Sequence, residues 1–324
     1  MLAAPTPEEL PDPPQDGPLP PMGLVLAGGG SKGGYQVGVV ECLADAGIAV
    51  TSLSGTSIGA LNAAVLASHD DLRSGARALA TAWQEVMTAT TPFVEETGVR
   101  RPANAADLQR VQSILAGMRS PVVKPGFLAD LVARHVGRAR KPAWVAAFPT
   151  LHPPMTSEPA AWVLDWVRAK AGTRCHWLPL HDRKAIEVRT AVLASAALPV
   201  VFTPVHHDGH AYRDGGYADN TPVGPLLEHT DANPIMVVHL ATGLRWDHGS
   251  DRHVVEIRPT TPLTPAGKTI AGLLDFTPRR YEALRSQGYS DTAETLRRWL
   301  GPTLAATRLR TTTLRAARAV ADLD

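Results

Sequence analysis

The chain is short of the features that most quickly assign a class. It has almost no charge excess: 32 basic and 31 acidic side chains leave a formal net charge of +1 over 324 residues. No whole-molecule field therefore directs it to nucleic acid or to an anionic surface, and any such contact has to be local. Its two cysteines, Cys42 and Cys175, are too few for a disulfide-stapled secreted scaffold and read as reduced core thiols. There is no run approaching about eighteen apolar residues, and no basic start followed by an apolar stretch of signal-peptide length. We therefore expect a soluble, cytoplasmic protein without a Sec-type leader. Lysine is scarce, six against 26 arginines, a bias associated with GC-rich bacterial genomes. The length itself is enough to bury an ample core without staples.

Eight prolines stand between Pro5 and Pro21, a composition that sustains neither helix nor central strand, so residues 1–21 are expected to be disordered. From Gly23 the pattern alternates. A strand is expected at Gly23–Ala27, a helix at Gly34–Ala46 stopped by Gly47, and a strand at Val50–Ser54. A second helix follows over Ile58–Ser68. Leu72, Ala76, Leu79, Trp83 and Val86 then recur at helical spacing, and buried strands are expected at Ala143–Phe148, Ile235–Leu240 and His253–Ile257. Alternating strands and helices imply an α/β fold with a mainly parallel sheet covered on both faces. Residues 88–177 are proline-broken and are expected to form an insertion or cap within a catalytic domain spanning 22–300. Residues 301–324 read as a basic helical tail. A solvated helix and a patch on anionic lipid both suit it.

The stretch "GLVLAGGGSKGGYQVGVVECL" places Gly28, Gly30 and Gly33 as G-x-G-x-x-G between strand and helix. A dinucleotide site would need an acid about twenty positions on, at the end of the second strand, to hold the ribose. None stands around Val50–Ser54. A P-loop would need glycine directly before its lysine, and here Ser31 precedes Lys32. What ends the second strand is Gly55-Thr56-Ser57-Ile58-Gly59, a G-x-S-x-G between strand and helix, which is the setting of a nucleophile elbow. With Ser57 as nucleophile, the amides of Gly28, Gly29 and Gly30 on the neighbouring loop can stabilise a tetrahedral oxyanion, each donor being worth roughly 3 kcal/mol of barrier. Lys32 either adds positive charge there or is a solvated loop residue.

A serine hydroxyl needs a proton acceptor within reach. Of twelve histidines, His206, His207 and His210 flank Asp208-Gly209, a hairpin-turn pair that leaves them facing solvent. Next comes Asp214-Gly215-Gly216 at a strand end. It is either an ordinary turn or a fold of backbone beneath Ser57 that lets Asp214 act as base. An α/β-hydrolase triad based on His229, His239 or His253 remains a competing arrangement, and a non-catalytic acyl-binding protein a third.

The three motifs in this order, with "ASAALPVVFTPV" leading into Asp214 and "DNTPV" from Asp219 following it, resemble the patatin-like phospholipase family, its bacterial members in particular. The resemblance covers roughly residues 23–300 and is loose between Thr88 and Trp177. It implies a three-layer α/β/α fold and hydrolysis of fatty-acyl esters, of phospholipase A or lysophospholipase type, without metal or cofactor. Ser57 corresponds to the acylated nucleophile, Asp214 to its base and Gly28–Gly30 to the oxyanion hole, with Lys32, Gly33, Gly55, Gly59, Gly215 and Gly216 supporting them. Lys32 departs from the arginine more usual there, keeping the charge without the planar fork. The implied partners are an acyl-ester lipid and a transient membrane surface, with a protein or small-molecule activator if the enzyme is latent, and no nucleic acid. Trp162 and Trp166, four apart, are expected in the core.

Overall fold

Each strand near the middle of the sheet sends alternate side chains to opposite faces, and both sets are apolar. On the first strand, Leu24 and Leu26 join one buried cluster and Val25 another; Met236 and Val238 against Ile235 and Val237 divide the same way. A sheet that buries both faces has to be covered on both, which fixes a three-layer α/β/α arrangement. A computed structural model describes residues 22–89, 126–151, 158–198, 202–243, 253–264, 273 and 275–321, with side chains described up to 300. The proline-rich 1–21 segment and the side chains of the 301–324 tail lie outside the described residues.

The strands are β1 (Met22–Leu26), β2 (Val50–Thr56), β3 (Ala143–Pro149), β4 (His176–Pro179), β5 (Val205–His207), β6 (His210–Asp214), β7 (Ile235–Val238) and β8 (Val254–Ile257). They form one sheet in the order β5, β6, β3, β2, β1, β7, β8. The run from β3 to β8 is parallel. The other edge of β3 is shared by two antiparallel partners, β4 along most of the strand and β6 at its end, and Ala147 faces both His176 and Asp214. Part of the stretch expected as an insertion or cap thus lies inside the sheet: the apolar run 143–149, buried at every position from 143 to 148, is an inner strand.

The helices are α1 (Gly33–Asp45), α2 (Ile58–Ala67), α3 (Leu72–Ala89), α4 (Phe127–His135), α5 (Glu158–Lys170), α6 (Ala185–Ser195), α7 (Gly224–His229) and α8 (Pro278–Ala321). Side chains of α1, α2, α3 and α8 fill the larger cluster, while Leu226 of α7 and Trp144 belong to the smaller one. α8 lies directly on α1. Their backbones are so close that a Cβ at Gly38 would stand 1.8 Å from the Arg285 carbonyl oxygen. The crossing is locked by the Tyr35 hydroxyl donating to Asp291 at 3.1 Å and by Arg285 paired with Glu41 at 2.7 Å.

The Asp208-Gly209 hairpin forms as expected, with φ of 46° and 78° at its two turn residues. His206 and His210 are exposed, but His207 is buried, because pleat alternation points it to the opposite face from His206. The tryptophan pair also separates. Trp162 is in the core, whereas Trp166 is 57% exposed on the outer side of α5, since α5 lays only one face on the protein.

Candidate active site

β2 leads into Ser57, whose backbone takes φ 56° and ψ −123° before α2 begins. A non-glycine residue held there costs on the order of 1–3 kcal/mol, and the surroundings must enforce it. They do so by crowding: a Cβ at Gly55 would lie 2.2 Å from the Gly59 carbonyl oxygen, and one at Gly59 would lie 2.1 Å from that of Leu26. Hydrogen bonds hold the turn from behind. The Ser57 N–H donates to Ser195 Oγ at 3.1 Å, and that hydroxyl donates to the Ala146 carbonyl at 2.6 Å. Thr56 Oγ1 donates to the Asp219 carbonyl at 2.8 Å. Ser57 itself is buried.

The glycine loop after β1 lies against this turn, since a Cβ on Gly28 would stand 3.1 Å from that of Ser57. Its amides are not equivalent. The Gly28 N–H donates to the Asn220 carbonyl at 3.1 Å, and Asn220 Nδ2 donates back to the Gly28 carbonyl at 3.3 Å. The Gly28 amide, expected among the oxyanion donors, is engaged here in clamping the loop. Gly29 and Gly30 N–H groups have no acceptor among the described residues. Lys32 is not a solvated loop lysine. Its Nζ donates to the Leu240 carbonyl at 2.9 Å, just beyond β7, and burial followed by the nearby Arg280 lowers its pKa. Gly33 opens α1 against Ile58, whose Cγ1 a Cβ would meet at 2.5 Å.

Asp214 arrives from the far side of β3. It is opposite Ala147 on β3, while Thr56, next to the serine, is opposite Ala146. One inner strand thus carries the end of β2 and the end of β6 at adjacent positions on its two edges. Gly215 makes the approach feasible, because a Cβ there would stand 2.3 Å from the Ala146 carbonyl oxygen. Asp214 Oδ1 accepts from the Gly216 N–H at 2.8 Å. Oδ2 has no partner within ordinary hydrogen-bond geometry among the described residues. The Ser57 hydroxyl is near enough to the carboxyl to act on its titration as a donor. Burial raises the Asp214 pKa to about 6, against the opposing pull of Ser57 and Gly216.

The competing histidines are occupied elsewhere. His239 lies 3.0 Å from Glu256, His229 stacks on Trp144 at 5.7 Å, and His253 packs near Trp299. Burial lowers the pKa of His239 to about 4. Two residues that sequence reasoning passed over are structural partners of the site: Asn220 as the loop clamp and Ser195 as the backing of the serine turn. Both stand inside "DNTPV" and "ASAALPVVFTPV". Behind the loop runs a buried relay in which Trp83 Nε1 donates to Asn62 Oδ1, Asn62 Nδ2 to Gln36 Oε1, and Gln36 Nε2 to the Ala27 carbonyl, at 3.1, 2.8 and 2.7 Å.

Beside Ile58 is a narrow, almost wholly apolar cavity of about 30 Å³, lined among others by Leu61, Leu79, Trp83, Leu131 and Phe276. A larger cleft of about 920 Å³ lies between α1, α3 and α8, away from Ser57. Across it Arg285 pairs with Glu41, and the Tyr289 hydroxyl donates to Asp45.

Residues 24–227, more than half of the chain, match the family described as patatin-like phospholipase. Among curated proteins, the lysophospholipase nte1 of Aspergillus terreus is 39% identical over 83 residues, which is 24% of this chain and 5% of that protein. An uncharacterized NTE family protein of Mycobacterium tuberculosis is 26% identical over 216 residues, covering 67% of this chain and 30% of that protein. The chain thus spans less than a third of the length of these relatives. Among solved structures, VipD from Legionella pneumophila superposes with a TM-score of 0.43 and 15% identity, over 86% of this chain and 67% of that one.

Proposed function

The chain belongs to the patatin-like phospholipase family, and on that premise we propose that it hydrolyses fatty-acyl esters of lipids through a Ser57–Asp214 dyad. The observation that carries this reading is the juxtaposition at β3: a serine on an enforced, strained turn faces a fully buried carboxylate whose pKa stands at about 6. A carboxylate near 6 is a far better acceptor around neutral pH than one at its ordinary value near 4.

In this mechanism Asp214 takes the Ser57 proton as Oγ attacks the ester carbonyl carbon. Negative charge collects on the former carbonyl oxygen, where the Gly29 and Gly30 amides receive it. The tetrahedral intermediate collapses, the C–O bond to the leaving alcohol breaks, and Asp214 returns the proton to that alcohol. Water, deprotonated by the same carboxylate, then attacks the acyl carbon; the bond to Ser57 Oγ breaks, Asp214 returns the proton to Oγ, and the fatty acid leaves. Lys32 and Asn220 hold the glycine loop in register with the serine. The apolar cavity beside Ile58 is smaller than an acyl chain, so its lining side chains part as the chain enters.

Hydrolysis of a lysophospholipid or a long-chain nitrophenyl ester tests the reading. Ser57→Ala and Asp214→Asn lose the activity, while alanine at His229, His239 or His253 retains it. Retention in Ser57→Ala, or loss in a histidine variant with Asp214→Asn tolerated, would overturn it.

A further inference from the structure

α5 carries more apolar surface than a helix on a protein exterior normally shows. Its inner side packs Ala161 and Trp162 and buries Asp165, while Val163, Trp166 and Val167 are exposed by 60, 57 and 49%. These three stand at i, i+3 and i+4, so they form one outward stripe. Leu164 beside it and Leu151 just before the helix are exposed as well. A helix buried on one side is expected to be polar on the other, and this one is not.

The exposed charges that follow the stripe along the chain are of one sign. From Ala160 to His181 the single acid is Asp165, which is fully buried and held by Arg168 and Arg213. The exposed charges are Lys170 and Arg174. Lys170 lies one turn beyond Trp166, its Nζ 6.0 Å from the indole centroid. An aromatic side chain with aliphatic neighbours and a cationic flank is the composition that settles at the boundary between acyl chains and anionic headgroups.

The position of α5 gives this surface a purpose. The helix packs against the turn Gly215–Tyr217 that follows Asp214. Asp165 Oδ2 accepts from Thr150 Oγ1 at 2.5 Å and from Arg213 Nε at 3.2 Å, so the inner side of α5 is pinned to the residue immediately before Asp214. We propose that α5 is a docking helix for an anionic lipid surface, with Val163, Trp166 and Val167 entering the acyl region and Lys170 and Arg174 meeting the headgroups. The proposal rests on the hydrolase reading, since it names the surface through which that enzyme meets its substrate.

Binding is measured in the 324-residue chain carrying Ser57→Ala, so that turnover plays no part and a failure of docking is distinguishable from a failure of the hydrolase reading. Co-sedimentation with vesicles of phosphatidylglycerol and phosphatidylcholine is compared with phosphatidylcholine alone. Binding is expected on the anionic vesicles, weakening with salt. Trp166→Ser with Val167→Ser should reduce it by at least about tenfold, and Lys170→Glu should reduce it on anionic vesicles only. In the chain with Ser57 intact, these variants should cleave a soluble short-chain ester within about twofold of wild type and keep its melting temperature, as exposed substitutions do. Equal vesicle binding by wild type and variants, or none by either, would overturn the proposal. So would a concentration-dependent dimer that the Trp166 and Val167 substitutions dissolve, because the stripe would then be an interface between copies of this chain.

Discussion

Asp214 is buried with one oxygen on the Gly216 amide, and no cation among the described residues acts on its carboxyl. Desolvation therefore raises its pKa to about 6. Ester hydrolysis should fall about tenfold per pH unit below that value, as the base becomes protonated; a pH–rate profile on a soluble ester checks it. The same shift bears on stability. An aspartate in the unfolded chain titrates near 4, so the folded state holds this proton more tightly. Its contribution to stability is greatest below about pH 4 and is lost as the pH rises through about 6. Asp214→Asn should thus abolish activity yet stabilise the fold at pH 7.5 by up to about 3 kcal/mol, with the gain vanishing in acid. Thermal melts of the two proteins at pH 7.5 and pH 4 would show it. The serine and the aspartate were legible as residues because rare glycine spacings surround them. Which amide of Gly28–Gly30 is free was not, because that depends on Asn220, 192 positions after Gly28 in the chain.

Among the elements, β3 does the assembling, and it could be read only in part. Its apolar run announced a buried strand at 143–148. That β4 and β6 share one of its edges follows from sheet register, which no local pattern encodes. The DNTPV loop is similarly non-local. It is sewn to β2 and the glycine loop through Ser54 on the Pro222 carbonyl, Thr56 on that of Asp219, and Asn220 on Gly28. Asn220→Ala removes one such bond, worth about 1 kcal/mol, and should lower kcat about fivefold with little change in melting temperature. A steady-state series on a soluble ester measures this. α5 depends instead on a buried charge. Asp165→Ala leaves Arg213 and Arg168 without their shared carboxylate, and removing one partner of such a buried pair costs about 3–5 kcal/mol. A chemical denaturation curve should show a loss of that size, far above the effect of an exposed substitution on the same helix.

Across the whole molecule, the family match ends at residue 227, yet the fold does not. β7 and β8 extend the sheet, and α8 seals α1 through the Gly38 crossing, Tyr35–Asp291 and Arg285–Glu41. α1 begins at Gly33, directly after the glycine loop, so the C-terminal helix supports the site from behind. The alternation of strand and helix foretold this three-layer plan, because periods of two and 3.6 survive in the apolar pattern. Trp166 escaped that reading because a tryptophan pair at helical spacing looks alike whether the helix is half or wholly buried. Among the described residues no helix is long and apolar enough to cross a membrane. Everything rests on whether Ser57 is activated by Asp214. Intact mass after exposure to a fluorophosphonate tests that, since the reagent bonds its phosphorus to an activated serine oxygen and loses fluoride. Wild type should gain one adduct, with Ser57→Ala unlabelled and Asp214→Asn labelled far more slowly. An adduct on Ser57→Ala, or equal labelling of Asp214→Asn and wild type, would contradict the dyad.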